Sequence, residues 1–398
     1  MSPPDTTSRS PYRGHMPALD GLRGLAIAVV MAFHYYLFDH HVAPLHWLYL
    51  GTRGGWLGVD LFFVLSGFLI TGILLDQRAA MGPRGELALF RTFYVRRTLR
   101  IFPLYYATLA IVFGVPAWTP LFATESFDRL EGEQVWLWLY AVNWVNWWRG
   151  ELVFVSDVFE ANHFWSLAAE EQFYLVWPAV AVLLPRRAFF GTSLVIVLAS
   201  FVAKAVLGPD EETLMLFRAD GLVVGALLAT VVRDEGLRPW IERAARPVLA
   251  IAICTLAGIA VLRGGLLHDD PWMARVGCSL AAIGCGALVL EAARAPASSA
   301  LGRALRVPAL AFLGRYSYGV YVIHWAFHPL FDRGFFAIAP REPTGFAAID
   351  GLYVTLVKSA FAIGAAVLVH HAFEKRFLAW KDRVAPTRAE PAAAVRPG

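Results

Sequence analysis

The sequence is short of charged residues. Only 17% of its 398 residues are Asp, Glu, Lys or Arg, against about 25% in a typical soluble domain. Hydrophobic residues make up 58% of the chain, and its mean hydropathy is +0.53. Compact soluble domains of this size do not bury so large an apolar excess. The composition therefore excludes soluble enzymes, disordered chains and coiled coils, and it predicts an integral membrane protein.

Cysteine is also scarce. Cys254, Cys278 and Cys285 lie in apolar runs, without a Cys-x-x-Cys pair or a histidine at metal-ligand spacing. This pattern excludes a disulfide scaffold and argues against a zinc site, so we expect packing residues and no metal.

Long apolar runs recur along the chain. Ten of them have about the 20 residues that a helix needs to cross a bilayer: 19–38, 56–75, 101–117, 165–184, 188–207, 213–232, 247–262, 274–293, 309–331 and 350–372. They predict an all-α integral membrane protein with about ten transmembrane helices. A polar N-terminal segment, 1–18, precedes a membrane domain, 19–372, and a basic, partly disordered tail follows at 373–398.

An eleventh apolar run, 134–148, is shorter and contains five Trp. Tryptophan favours the membrane interface, which predicts an interfacial or re-entrant segment. With ten crossings and a cytoplasmic N-terminus, the inner segments hold 23 Lys and Arg and the outer ones 6. Because positive residues accumulate on the cytoplasmic side, both termini are expected there, in a plasma (inner) membrane. The same bias explains the pI near 9.0 without nucleic acid.

Ionisable side chains interrupt the apolar runs, and their cost in lipid makes each one a functional hypothesis. The predicted orientation and a rise of 1.5 Å per residue place most of them in the outer half of the bilayer. They are His34, Asp60, Glu170, Arg218, Asp220 and His324. A shared depth predicts the floor of a polar site. For Asp60 and Arg218, a structural ion pair between helices is an equal alternative, and His34 is alternatively a packing histidine.

The segment FYVRRTLRIFPLYY concentrates arginines on the predicted cytoplasmic side. Arg97 and Arg100 are three residues apart and share a helix face, which suits bidentate capture of phosphate oxygens. Arg23 precedes His34 by 11 residues, or three helical turns, so both point the same way about 16 Å apart. One helix therefore joins a cytoplasmic cation to an outer imidazole.

Small residues mark the second span, which contains Gly55, Gly58, Ser66 and Gly67. Small side chains allow close approach between helices, or leave room for a narrow ligand. The residues alone leave both interpretations open.

These motifs together resemble the acyltransferase-3 family of multi-pass membrane acyltransferases, which modify bacterial surface glycans and some small molecules. The likeness rests on LDGLRG with His34 downstream, GVDLFFVLSGFLI, FYVRRTLRIFPLYY, WSLAAEEQFYLVWP, FRADGLVVGALLA and LGRYSYGVYVIHW. Some members add an extracytoplasmic hydrolase-like domain after an extra span. Since this sequence stops after its tenth predicted span, a stand-alone form is expected.

The resemblance implies transfer of an acyl group, commonly acetyl, from cytoplasmic acyl-CoA to a hydroxyl of a carbohydrate or lipid-linked glycan. It gives His34 the catalytic role beside Arg23, Arg97 and Arg100 the donor, and Glu170 the acidic position of an SLxxE motif. We expect Glu170 first, and Asp60 second, to orient the His34 imidazole. Further predicted contacts are Arg96 and Ser66 for the donor, and Arg218, Asp220 and His324 for the acceptor.

Two alternatives stay open from the sequence. The acceptor is alternatively a small molecule such as an antibiotic. A transporter or flippase also suits buried charges in one layer, although no inverted repeat is visible. The acyl chain length, direct transfer against an acyl-enzyme intermediate, and the oligomeric state are not decided by the sequence.

Overall fold

The computed structural model describes residues 12, 14–35, 46–81, 85–114, 119, 122–207 and 214–386. Residues 1–11 of the predicted N-terminal segment and 387–398 of the predicted tail lie outside this part of the chain.

Helices build the architecture, and the described residues contain no strand beyond one isolated bridge between Val155 and Glu160. In chain order the helices are α1 Pro17–His34, α2 His46–Arg53, α3 Leu57–Met81, α4 Glu86–Gly114, α5 Glu125–Trp138, α6 Val142–Arg149, α7 Trp165–Leu183, α8 Arg186–Leu207, α9 Met215–Val231, α10 Arg238–Arg263, α11 Cys278–Arg294, α12 Ala300–Leu305, α13 Pro308–Ala326, α14 His328–Phe335, α15 Ala347–Val369 and α16 Lys375–Val384. A 3₁₀ turn, Asn162–Phe164, precedes α7. Five-residue π-helical segments join α11 at Met273–Gly277 and connect α15 to α16 at His370–Glu374.

Each of the ten predicted spans overlaps one of these long helices. Six helical stretches in the described ranges are long and apolar enough to cross a membrane: Pro17–His34, Leu57–Ala80, Arg186–Leu207, Arg238–Arg263, Met273–Arg294 and Ile349–Val384. These findings agree with an all-α membrane protein. The count of ten crossings and the cytoplasmic termini stay predictions.

Two predicted segments are broken where the sequence suggested continuity. The run 134–148 is divided between α5 and α6, and the break contains Tyr140, whose φ is 52°. A non-glycine residue in this left-handed region ends a helix. The run 309–331 is likewise divided, because α13 ends at Ala326 and α14 begins at His328. Conversely, α4 starts 15 residues before its predicted span, so the whole arginine motif is helical.

Glycines bring α3 against α9 at backbone distance. A Cβ added to Gly67 would lie 1.8 Å from the carbonyl oxygen of Leu222, and one added to Gly225 would lie 2.1 Å from that of Val64. The same holds against α1, where a Cβ on Gly58 of α3 would meet the oxygen of Ala26 at 2.5 Å, and one on Gly55, in the turn before α3, would meet the oxygen of Val29 at 2.2 Å. The structure thus decides the question left open for these glycines of α3 in favour of close helix packing.

Helices α1 and α13 approach equally closely. A Cβ on Gly24 would lie 2.0 Å from the carbonyl oxygen of Leu310, and one on Gly314 would lie 1.9 Å from that of Asp20. These glycines belong to the LDGLRG and LGRYS motifs. The contact matters because it fixes the spacing between the two helices that carry His34 and His324.

Candidate active site

A cavity of roughly 340 Å³ runs along α3. Its wall includes α3 residues from Val59 to Gln77, which at 1.5 Å per residue span about 27 Å. The remaining walls come from α1, α4, α7, α13 and α16. The polar side chains that line it are Arg23, Ser66, Gln77, Arg96, Arg97, Arg100, Ser166, Glu170, Glu171, Ser317, Tyr318, Tyr321 and Lys381. The cavity is therefore long, and 13 of its 22 lining residues have polar side chains.

Positive charge predominates in this cavity, which is lined by five Lys or Arg side chains and two carboxyl groups. Arg23 forms an ion pair with Asp20 at 2.8 Å. Arg96 binds the C-terminal helix, at 3.1 Å from Asp382 and 2.7 Å from the carbonyl oxygen of Ala385. Helix α16, with its Lys381, thus closes the basic end of the cavity together with α4.

Glu170 lies in the wall of this cavity. Its Oε1 accepts hydrogen bonds from the hydroxyls of Ser66 and Tyr174. The Arg97 guanidinium stacks over the Tyr174 ring, 4.0 Å from the ring centroid. The structure therefore brings together three predicted residues, Glu170, Arg97 and Ser66, and places the carboxylate among a cation and two donors.

His34 contacts another imidazole instead of a carboxylate. Its Nδ1 lies 2.8 Å from Nε2 of His324, and its ring stacks on Trp325 with centroids 4.6 Å apart. The predicted orientation of His34 by Glu170 is thus replaced by His324. The physical reason is that α13, packed on α1 through glycines, carries the nearest polar group, whereas Glu170 is held across the cavity by Ser66 and Tyr174.

His324 is buried, with 2% of its surface exposed. Its Nδ1 lies 2.8 Å from the carbonyl oxygen of Tyr321 and 3.2 Å from that of Val320. It was predicted to line the acceptor site, but its ring nitrogens are taken up by His34 and its own helix. His324 is therefore a neighbour of the candidate catalytic group.

Tyr321 connects the cavity to the two histidines. Its side chain and Ser166 line the cavity, and their hydroxyl oxygens are 2.5 Å apart. Its carbonyl oxygen accepts from His324 and from His163, whose Nε2 is 3.2 Å away. Tyr321 therefore lines the cavity with its side chain and bonds to His324 through its backbone, whereas neither His34 nor His324 lines the cavity.

The remaining predicted residues form ion pairs between helices. Asp60 lies 3.2 Å from Arg218, whose guanidinium also faces the rings of Trp56 and Trp165. The structure thus favours the ion-pair alternative for Asp60 and Arg218, and a role of Asp60 in orienting the His34 imidazole stays a prediction.

Asp220 has a similar place. It forms an ion pair with Lys204, and Ser279 donates to its Oδ2 at 2.7 Å. The described residues that line the cavity include neither Asp220 nor Arg218. The ion pairs of Asp60, Arg218 and Asp220 therefore join α3, α8, α9 and α11, and the predicted contact of Arg218 and Asp220 with the acceptor stays a prediction.

Sequence reasoning missed His163, Tyr321 and Lys381. His163 was visible as a histidine three residues before Ser166 of the SLxxE segment, and Tyr321 as a tyrosine three residues before His324. Lys381 gave no signal, because its place in the cavity depends on how α16 folds back onto α4.

Comparison with known proteins adds to this geometry. The family model described as an acyltransferase domain matches residues 16–371. The chain is 30% identical over 329 residues to the peptidoglycan O-acetyltransferase OatA of Listeria monocytogenes, covering 79% of this chain and 49% of that protein. It is 28% identical over 327 residues to the O-acetyltransferase OatA of Staphylococcus aureus, covering 78% and 50%.

The chain thus spans about half the length of these curated relatives. No solved structure matches it. The matched region contains every side chain of the cavity named above except Lys381.

Proposed function

Because the chain belongs to the acyltransferase-3 family, we propose that it is a membrane O-acyltransferase that moves an acyl group from cytoplasmic acyl-CoA to a hydroxyl of a carbohydrate. Acetyl is the group proposed first, because the named relatives are O-acetyltransferases. The observation that carries the proposal is the cavity along α3, which is lined by a cluster of arginines and by Tyr321, the residue whose carbonyl oxygen bonds to His324. Neither His34 nor His324 lines the cavity itself, so the thioester is proposed to reach His34 past Tyr321.

The cavity suits an acyl-CoA donor in charge and in shape. Coenzyme A combines phosphates with a thin pantetheine arm that ends in the thioester. Arg96, Arg97, Arg100 and Lys381 give one end the cations that phosphate oxygens bind. The length of about 27 Å along α3 lets a narrow chain pass between helices. Tyr174, whose hydroxyl donates to Glu170, holds the Arg97 guanidinium over its ring beside this path.

His34 is proposed as the general base. An acceptor hydroxyl gives its proton to the imidazole as its oxygen attacks the thioester carbonyl carbon. The carbon–sulfur bond then breaks, and the thiolate takes the proton from His34. The hydroxyls of Ser166 and Tyr321 line the same cavity and bond to each other and to the carbonyl oxygen of His163, each 3.1 Å from it. A thioester carbonyl oxygen that becomes negative beside them would have to replace His163 as the acceptor of one of these protons.

The acceptor is proposed to be a glycan on the outer side of the plasma membrane. This rests on the printed names of the relatives, which include a peptidoglycan O-acetyltransferase. With ten crossings and cytoplasmic termini, the arginine end of the cavity faces the cytoplasm and His34 faces outward. A small-molecule acceptor is the alternative outcome.

The experiment uses purified protein in lipid nanodiscs, with acetyl-CoA as donor and a soluble peptidoglycan fragment as acceptor. Arg97→Gln and Arg100→Gln are expected to raise the KM for acetyl-CoA at least 10-fold each, because each removes charge-assisted bonds worth about 1.5–3 kcal/mol. Arg91→Gln is the matched control, since Arg91 lies on the same helix but does not line the described cavities.

An unchanged KM in both cavity variants would contradict the donor assignment. Turnover with a small hydroxyl compound but not with glycan would support the alternative acceptor.

A further inference from the structure

The hydrogen bonds of His324 determine which of its nitrogens carries a proton. Its Nδ1 faces the carbonyl oxygens of Tyr321 and Val320, at 2.8 and 3.2 Å. A carbonyl oxygen only accepts, so Nδ1 must be the N–H donor. A neutral imidazole has one N–H. The Nε2 of neutral His324 is therefore an acceptor.

The protonation of His324 determines which nitrogen of His34 carries a proton, because the two rings are in contact at 2.8 Å. Because Nε2 of His324 accepts, Nδ1 of His34 must donate to it. The single proton of neutral His34 is then on Nδ1, and its Nε2 carries the free lone pair. His34 is thus held in the tautomer in which the nitrogen not bonded to His324 is the base.

The surroundings hold the pair rigidly. His324 is buried, and the Tyr35 hydroxyl donates to its carbonyl oxygen at 2.8 Å. The His34 ring lies against Trp325, which in turn stacks on His328 at 3.9 Å. The Tyr35 bond holds the backbone of α13 at His324, and the His324 ring could turn only by breaking its bonds to His34 and to the carbonyl oxygen of Tyr321. The His34 ring could turn only by leaving His324 and Trp325, so its orientation is set by α13.

We propose that His324 is the positioning residue of the acyl transfer, and that it fixes the His34 tautomer in place of the carboxylate used by Ser-His-Asp enzymes. The inference rests on the proposed function, in which His34 is the base. Nε2 of His34 takes the proton of the acceptor hydroxyl and returns it to the leaving thiolate. Meanwhile His324 keeps its own proton, and its bond from Nδ1 of His34 strengthens while His34 is cationic.

The test compares two substitutions of His324. In His324→Gln, the amide oxygen can occupy the position of Nε2 and accept from His34, while the amide nitrogen donates to the carbonyl of Tyr321. In His324→Leu, the acceptor is lost and the volume is largely kept. We expect His324→Leu to lower kcat by about 10²–10⁴-fold with little change in the KM for acetyl-CoA. We expect His324→Gln to recover at least 10-fold of that loss.

If His324 had a merely structural role, transfer would not depend on a hydrogen-bond acceptor at this position, and the Gln variant would not be more active than the Leu variant for that reason. Equal impairment of the two variants, or parental kcat in His324→Leu, would overturn the inference. Nitrogen-15 NMR of histidine-labelled parental protein gives a readout that needs no substitution at His324. With the His34→Gln spectrum for assignment, His34 should show a protonated Nδ1 and an unprotonated Nε2, and the opposite tautomer would overturn the proposal.

His34→Ala distinguishes failure of the proposed function from failure of the role of His324. If His34→Ala keeps parental transfer, the proposed function fails. If His34→Ala abolishes transfer while His324→Leu stays fully active, only the role of His324 fails.

Discussion

Gly24→Ala tests whether the α1–α13 contact holds the candidate active site together. The added Cβ would lie 2.0 Å from the carbonyl oxygen of Leu310, whereas real Cβ contacts are essentially never under 3.0 Å. A backbone oxygen cannot rotate aside, so the helices must separate by about 1 Å. Carried undiminished to the outer end, this would lengthen the 2.8 Å contact between His34 and His324 to about 3.8 Å, beyond hydrogen-bond range.

The control is Gly364→Ala on α15, where no described heavy atom outside the helix backbone lies within 4 Å of the added Cβ. Overpacking at Gly24 is expected to cost about 1–3 kcal/mol. At Gly364 the change is expected to stabilise the helix by up to about 1 kcal/mol, because alanine is the better helix former. The two variants should therefore differ by about 1–4 kcal/mol, or about 5- to 10³-fold in the folding equilibrium.

The assay is reversible SDS unfolding in mixed micelles, followed by acetyl transfer per folded molecule. Gly24→Ala should unfold at lower SDS than Gly364→Ala and should lose kcat in its folded fraction. If the two variants are equally stable and equally active, α1 and α13 do not pack as described, and the contact between His34 and His324 that depends on this packing is refuted as well.

Three further changes test other parts of the structure. Lys204→Met removes the cationic partner of the buried Asp220 and should lower the stability of the protein by about 3–5 kcal/mol. The double variant with Asp220→Leu should recover stability and keep acetyl transfer. Loss of transfer in a stable double variant would assign Asp220 to the substrate site. Ser66→Trp should fill the cavity and abolish acetyl-CoA binding measured by calorimetry, and unchanged binding would place the donor elsewhere. For Asp157, burial alone would raise the pKa, but hydrogen bonds from Thr124, Ser126 and its own backbone, with Arg333, lower the pKa below its usual value. The stabilisation is therefore present above the unfolded-state pKa of about 4 and is lost as the pH falls below it. Asp157→Asn should flatten the pH dependence of hydrogen exchange in residues 153–160, and an unchanged profile would contradict this prediction.

Hydrophobic run length predicted the long helices because crossing a bilayer imposes a minimum apolar length. Every predicted run overlaps a helix, but some helices extend beyond the apolar run into charged residues, as α4 does through its arginines. The break at Tyr140 was not visible, because a left-handed residue depends on local packing and Tyr carries no signal for it.

The candidate site was predicted in part. The pattern singled out His34, Arg97, Arg100 and Glu170, because ionisable groups in apolar runs are costly enough to indicate function. The residues that these groups contact could not be predicted in the same way. Depth alone put Glu170 beside His34, whereas the lateral arrangement of the helices places Glu170 with Ser66 and gives His34 to His324.

Long-range neighbours explain most of that difference. The glycines that join α1 to α13 act through backbone contacts between residues about 290 apart in sequence, which no local period encodes. The sequence shows that Gly24 and Gly314 are small residues within motifs, but only the structure shows which two helices they bring together.

The proposed function depends on delivery of the donor thioester to His34 along the α3 cavity. To test this step, labelled acetyl is followed from acetyl-CoA to a glycan acceptor, with purified parental protein and His34→Ala in the same nanodiscs. We expect the parental protein to transfer the label to the glycan. We expect His34→Ala to bind acetyl-CoA with unchanged affinity but to transfer the label at least 10²-fold more slowly. Equal transfer by the two proteins would contradict this expectation.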